Sequence, residues 1–307
     1  MEGERAGLTC VVTGATSGIG REVAAQLAGR GEKVLGVGRV QDRCRTAERQ
    51  IRVSTGNPDV TFLRADLSSM SEIRGLAREI LSMRRVIDVL VNNAGVFTLT
   101  RRETADGLEM QLAVNWLAAF MLTGLLMPAL FKAPFARVVN ISSGSHFSGT
   151  MHWDDLGLRR AYHGLKAYSQ SKLATVLFSY ELTRRLSTAQ DSSAHSSSSP
   201  FCSGSLCAGR SPAVYAVDPG LVKTQIASKG NNCMVSLVWK IRTMRGITPQ
   251  DAANSVTWCA ADPAAQGRTG LYWKERRSLD SSPESHDPLA ARKLWELGES
   301  LCGVRFP

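Results

Sequence analysis

Along its first 220 residues this chain alternates short β-branched runs with longer helical patterns, and that alternation restricts the fold more than any other feature. "LTCVVT" (8–13), "KVLGVG" (33–38), "DVTFLRA" (59–65), "DVLVNN" (88–93), "RVVNIS" (137–142) and "AVYAVD" (213–218) read as strands. "REVAAQLAGRG" (21–31) and "SMSEIRGLAREILSMRR" (69–85) read as helices. Strands separated by helices are joined by right-handed βαβ crossovers and pair in parallel. Their near-continuous apolar character fits a sheet covered on both faces. The expectation is an α/β fold, a doubly wound parallel sheet of about seven strands with helices on both faces. Residues 1–307 are expected to form one domain.

Two segments depart from the pattern. "LAVNWLAAFMLTGLLMPALF" (112–131) is long enough to cross a bilayer. Asn115 lies inside it, Pro128 near its end, and strands flank it closely, so a helix buried in a globular core is expected. Residues 187–213 contain ten serines and join a helix ending near Leu186 to the strand at 213. Connections of that kind are usually short. The segment reads as a flexible, solvent-exposed insertion, with His195 a bystander.

Composition narrows the setting. The seven cysteines are odd in number, scattered and free of any C-x-x-C, which argues for reduced thiols. The opening residues lack the apolar core and cleavage site of a signal peptide. An intracellular location is expected, cytoplasmic or at the periphery of a membrane facing the cytosol. The formal net charge of +10 suits nucleic acid, an anionic membrane surface or an anionic cofactor. No basic region with interleaved aromatics and no zinc-ligand spacing is present, so neither nucleic acid nor metal is expected.

"TGATSGIG" (13–20) follows the first strand and opens the first helix. Gly14 permits a tight exit from the strand, Gly18 lets backbone approach a pyrophosphate, and Gly20 lets the helix pack closely. Ser17 and Ile19 complete the turn. The helix N-terminus then offers unpaired N–H groups and a positive dipole end to phosphates. A dinucleotide cofactor is the expected ligand. Sites preferring NAD(H) usually carry an acid at the end of the second strand, and this chain has Arg39. A guanidinium gains most by pairing with a 2′-phosphate, so NADP(H) is preferred, with NAD(H) as the alternative.

The ordered set "TGATSGIG", "ADL" (65–67), "NNAG" (92–95), Asn115, "NISS" (140–143), "YSQSK" (168–172) and "DPGLVKT" (218–224) resembles the short-chain dehydrogenase/reductase family over about residues 8–275. The 25 residues from Ser143 to Tyr168, with "DDL" at 154–156, resemble the branch that contains retinol and polyprenol dehydrogenases. The resemblance implies a Rossmann fold and hydride transfer between cofactor and an alcohol or carbonyl carbon. It makes Tyr168 the acid/base. A free tyrosine has a pKa of about 10, too high for an efficient base near neutral pH. Lys172, one helical turn away, is expected to lower it and to hold the nicotinamide ribose. Ser143 would hydrogen-bond the substrate oxygen. Asn115 would anchor a water connecting Lys172 to solvent. By the same resemblance Asp66 bonds the adenine, Asn92 contacts the adenosine side or braces the sheet, and Thr224 closes over the cofactor.

Substrate pockets of this family are roofed by the segment after "PG". Here that is "IASKGNNCMVSLVWKIRTMRG" (226–246), with Met234, Leu237, Val238 and Ile241 on one helical face and Lys240 and Arg245 elsewhere. One reading is an ordinary core-facing helix. The other is an apolar lid over a retinoid, polyprenoid or other lipid alcohol, touching a membrane through its basic rim. Expected partners are thus a small apolar alcohol or aldehyde, a membrane surface, and a second copy of the chain in a homodimer. Alternatives are a reductase of small carbonyls or steroids, and a non-catalytic dinucleotide-binding regulator.

Overall fold

A computed structural model describes residues 7–195, 211–222 and 246–306, with the backbone alone for 189–195. Thr224, Lys223, the segment 226–245 and the central part of the serine-rich stretch, 196–210, lie outside the described residues.

The strands β1 (Thr9–Thr13), β2 (Lys33–Gly38), β3 (Val60–Arg64), β4 (Val89–Asn92), β5 (Arg137–Ile141), β6 (Ala213–Asp218), β7 (Leu271–Lys274) and β8 (Arg277–Leu279) form one sheet. Its order is β3-β2-β1-β4-β5-β6-β7-β8. All neighbours are parallel except the β7–β8 pair. Chain direction across the sheet reverses between β1 and β4, the switch point at whose carboxyl edge such sheets bind ligands. Every residue of β1 and β5 is buried, as sheets covered on both faces require. The expectation of about seven strands holds for the parallel set, and β8 is an additional edge strand.

Helices cover both faces. On one side α1 (Gly18–Gly29), α2 (Gln41–Thr55) and α6 (Pro249–Ala261) pack Val23, Leu27, Ile51 and Val256 against the sheet. On the other, α3 (Met70–Met83), α4 (Met110–Leu130), α5 (Gly164–His195) and α7 (Pro288–Cys302) enclose Leu76, Trp116, Phe120, Phe178 and Trp295. The α4 window is apolar enough to cross a membrane by composition, yet 83% of it is buried inside the fold. It is the core helix the interrupted pattern suggested.

The serine-rich stretch needs a correction. Helix α5 does not end near Leu186 but continues to His195. The Ser187 and Thr188 hydroxyls donate to the carbonyls of Thr183 and Arg184, each at 3.0 Å. Hydroxyls that bond back to the preceding turn no longer compete for the backbone, so serine and threonine are tolerated in the helix.

Candidate active site

The carboxyl edge of the sheet gathers most of the residues singled out above. The glycine-rich turn leaves β1 with Gly14 at φ +66° and enters α1 through Gly18 at φ +58°. A Cβ on Gly14 would lie 2.9 Å from Ala94 Cα. On Gly20 it would meet Asn93 Nδ2 at 2.2 Å and the Gly14 carbonyl at 2.5 Å. The close packing expected of Gly20 is therefore against this turn and the end of β4. Ser17 is the N-cap of α1, and no acid occupies the first helical turn, which keeps the positive dipole end available to an anion. Ile19 packs on the α1 side of the core.

Arg39 directly follows β2, and its side chain is exposed. Asp66 follows β3; its Oδ1 accepts from the Ser68 N–H at 2.9 Å and the Ser68 hydroxyl at 2.7 Å. The glycine-rich turn and the acid-free helix end suit a dinucleotide.

Asn92 braces the sheet, the second of its two expected roles. Its buried amide donates to Thr123 Oγ1 at 3.0 Å and to Asn140 Oδ1 at 2.8 Å. The residue that locks the cofactor turn is its neighbour, which the sequence reading missed. Asn93 donates to the Thr13 carbonyl at 2.8 Å, and its own N–H reaches Thr13 Oγ1 at 3.0 Å.

Tyr168 and Lys172 lie one turn apart on α5. The Tyr168 ring meets Phe97 edge-on, with centroids 5.6 Å apart, and Lys172 Nζ lies 5.6 Å from the phenol centroid. Lys172 Nζ donates to the Ile141 carbonyl at 2.8 Å. Ser143 caps the 3₁₀ turn Gly144–Ser148 after β5, its hydroxyl accepting the Ser145 N–H at 3.2 Å. Tyr168 is partly exposed as a residue. Burial of its hydroxyl pushes its pKa up to about 12, opposed by the neighbouring Ser143 hydroxyl and reinforced by the charge of Asp218. Burial brings Lys172 down to about 8, against the pull of Asp218. The Lys172 ammonium is itself desolvated and bonded to the Ile141 carbonyl.

Asn115 sits in a π-helical turn of α4, Ala113–Leu117, and is 3% exposed. Its Oδ1 accepts from the Val96 N–H at 2.7 Å, while its amide donates to the Val96 carbonyl at 3.1 Å and to Ser171 Oγ at 2.9 Å. Both side-chain donors are spent on protein, so the side chain braces the loop after β4 against α5.

His146 was also missed. Its Nδ1–H donates to the Ser143 carbonyl at 2.8 Å, and Nε2 accepts the Ser282 N–H at 3.0 Å, which fixes the neutral tautomer. His146 thereby pins Ser143 to the segment after β8. Burial holds its pKa below the usual histidine value. No sequence spacing signals a contact made across 136 residues.

Residues 8–190 match the family model described as short chain dehydrogenase. Mouse retinol dehydrogenase 13 is 34% identical over 303 residues, covering 97% of this chain and 84% of the relative. Human retinol dehydrogenase 12 is 33% identical over 300 residues, covering 98% and 88%. Mouse polyprenol dehydrogenase is 34% identical over 309 residues, covering 97% and 84%. Among solved structures, an uncharacterised Mycobacterium paratuberculosis protein superposes with a TM-score of 0.73 at 29% identity, covering 98% of this chain and 95% of the other. A candidate NAD(P)-dependent gluconate 5-dehydrogenase from Beutenbergia cavernae, with NADP bound at low occupancy, gives 0.64 at 27% identity, covering 88% and 95%. A family match over more than half the chain, with one-third identity along nearly all of it, leaves one conclusion: this chain belongs to the short-chain dehydrogenase family, oxidoreductases acting on CH–OH groups.

Proposed function

We propose that the chain, working as a single domain, interconverts a long apolar alcohol and its aldehyde or ketone with NADP(H). The observation that carries this reading is the Ser143–Tyr168–Lys172 cluster beside the glycine-rich turn, on the edge of the sheet where a dinucleotide binds. The cofactor supplies or accepts the hydride. The protein's task is the proton and the position of the reacting oxygen. The Ser143 hydroxyl lies near enough to Tyr168 to influence its titration, so both hydroxyls can address one substrate oxygen. Tyr168 holds its proton through neutral pH, which is the form that protonates a carbonyl oxygen. Lys172 Nζ lies 5.6 Å from the phenol centroid, and burial brings its pKa down to about 8. The exposed Arg39 guanidinium after β2 supports NADP(H) over NAD(H). The apolar substrate class is supported by relatives named retinol and polyprenol dehydrogenases.

The test is retinal reduction with NADPH. Wild type should turn over, and Tyr168→Phe should lose about 10²–10⁴ in kcat while keeping NADPH affinity. A Phe variant with the wild-type rate would exclude Tyr168 as the proton donor.

A further inference from the structure

The turn "DPG" after β6 begins with an acid, Asp218, and hydrogen bonding explains only half of it. Its Oδ1 accepts the Gly220 N–H at 2.9 Å, closing a turn in which Gly220 has φ +84°. That arrangement needs an acceptor but no charge, and asparagine supplies it equally well. Yet the residue is a carboxylate and only 5% exposed, a placement that costs desolvation. The second oxygen, Oδ2, lies 3.9 Å from Lys274 Nζ, whose side chain is 40% exposed. An ion pair so open to water compensates the buried charge weakly.

Strand register places this charge behind the reacting groups. Val217 pairs with Ile141, whose carbonyl holds Lys172 Nζ, and Asp218 is the next residue along β6. A Cβ on Gly144, beside Ser143, would lie 3.4 Å from Oδ2. The titratable groups facing the carboxylate are Tyr168 and Lys172 from α5, His146 from the turn after β5, and Tyr272 and Lys274 from β7. His146 and Tyr272 are kept neutral by burial, so Lys172 and Lys274 are the cations in this set.

We propose that Asp218 is a positioning residue whose buried negative charge sets the charge balance of the Tyr168–Lys172 pair, and with it the pH range of turnover. The inference rests on the acid/base reading of Tyr168. Its sign is fixed: the charge opposes tyrosinate and favours the ammonium of Lys172. Both titrations are held to higher pH than they would otherwise reach.

The test is the pH profile of kcat/KM for retinol oxidation with NADP, in wild type, Asp218→Asn, Lys274→Ala and Tyr168→Phe. Asp218→Asn keeps the bond to Gly220 and removes only charge. Both limbs of its profile should move to lower pH by about half a unit or more. Lys274→Ala exposes the carboxylate's field and should move them the other way; as a surface change it also serves should Asp218→Asn fold poorly. A purely structural Asp218 moves neither limb. Unmoved limbs with Tyr168→Phe inactive would overturn the role of Asp218 and leave the acid/base reading standing. Wild-type turnover in Tyr168→Phe would overturn both. Ultraviolet difference titration of tyrosinate, with Tyr168→Phe as reference, reads the same shift without any substrate. An onset unchanged in Asp218→Asn contradicts the proposal.

Discussion

Arg39 and His146 show what single residues contribute on either side of the site. Arg39 stands where a 2′-hydroxyl-binding acid would otherwise be, with its side chain in solvent. Loss of a charge-assisted contact costs about 1.5–3 kcal/mol, tenfold or more in affinity. Arg39→Ala should therefore weaken NADPH by at least about tenfold in a fluorescence titration and leave NADH nearly unchanged; equal loss for both contradicts the preference. His146 is a matter of stability. Its folded pKa lies below the ordinary value of about 6.5 because it is buried, so the unfolded chain takes up the proton first. Its contribution is complete above that value and is lost as pH falls below it toward the folded pKa. Urea denaturation should show wild type weakening on acidification through this window more steeply than His146→Gln, which cannot be protonated. Equal slopes would contradict the assignment. Tyr168, Lys172 and Ser143 stood out in the sequence only through the ordered motifs that resemble the family, since a tyrosine and a lysine four apart are by themselves an ordinary helix surface. Asn93, His146 and Asp218 did not, because the partners that define them come from β1, the segment after β8 and β7.

Among the elements, the β7–β8 hairpin marks where sequence signals stop. Its two loop residues, Glu275 and Arg276, have φ +50° and +62°. Two-residue hairpins of this kind normally announce themselves by Asn-Gly or Asp-Gly, and this one carries neither. A left-handed conformation costs an ordinary residue about 1–2 kcal/mol. Replacing the pair by Asn-Gly (Glu275→Asn with Arg276→Gly) should stabilise the protein by about 1 kcal/mol in urea denaturation, and a neutral or destabilising result would contradict the strain. Helix α5 was misread for the opposite reason. Serine reads as a loop former, and the back-bonding of Ser187 and Thr188 becomes visible only once the helix exists. In α4 the polar interruption was informative: Asn115 in an apolar helix foretold a bonded role, and the structure supplies three bonds.

At the scale of the molecule, the alternating pattern specified the sheet and both helical layers, since only a covered parallel sheet buries such strands. What it left out are the strands β7 and β8, the helices α2 and α6, and the closing helix α7. Trp295 of that helix stacks edge-on against Phe120 at 5.1 Å, and the Arg185 guanidinium covers its ring at 4.5 Å. A Cβ on Gly298 would lie 2.9 Å from Phe120, so α7 seats closely on α4. Both core clusters thus pack against the sheet, at whose carboxyl edge lie Tyr168, Lys172 and the glycine-rich turn. We propose that a nicotinamide cofactor held at this edge supplies hydride to a long apolar carbonyl. The most direct measurement is kcat/KM with NADPH across straight-chain aldehydes from butanal upward. Burial of each methylene is worth about 0.8 kcal/mol, so kcat/KM should rise by about fourfold per carbon until the pocket is full. A maximum at the shortest members would contradict the account and leave a reductase of small carbonyls.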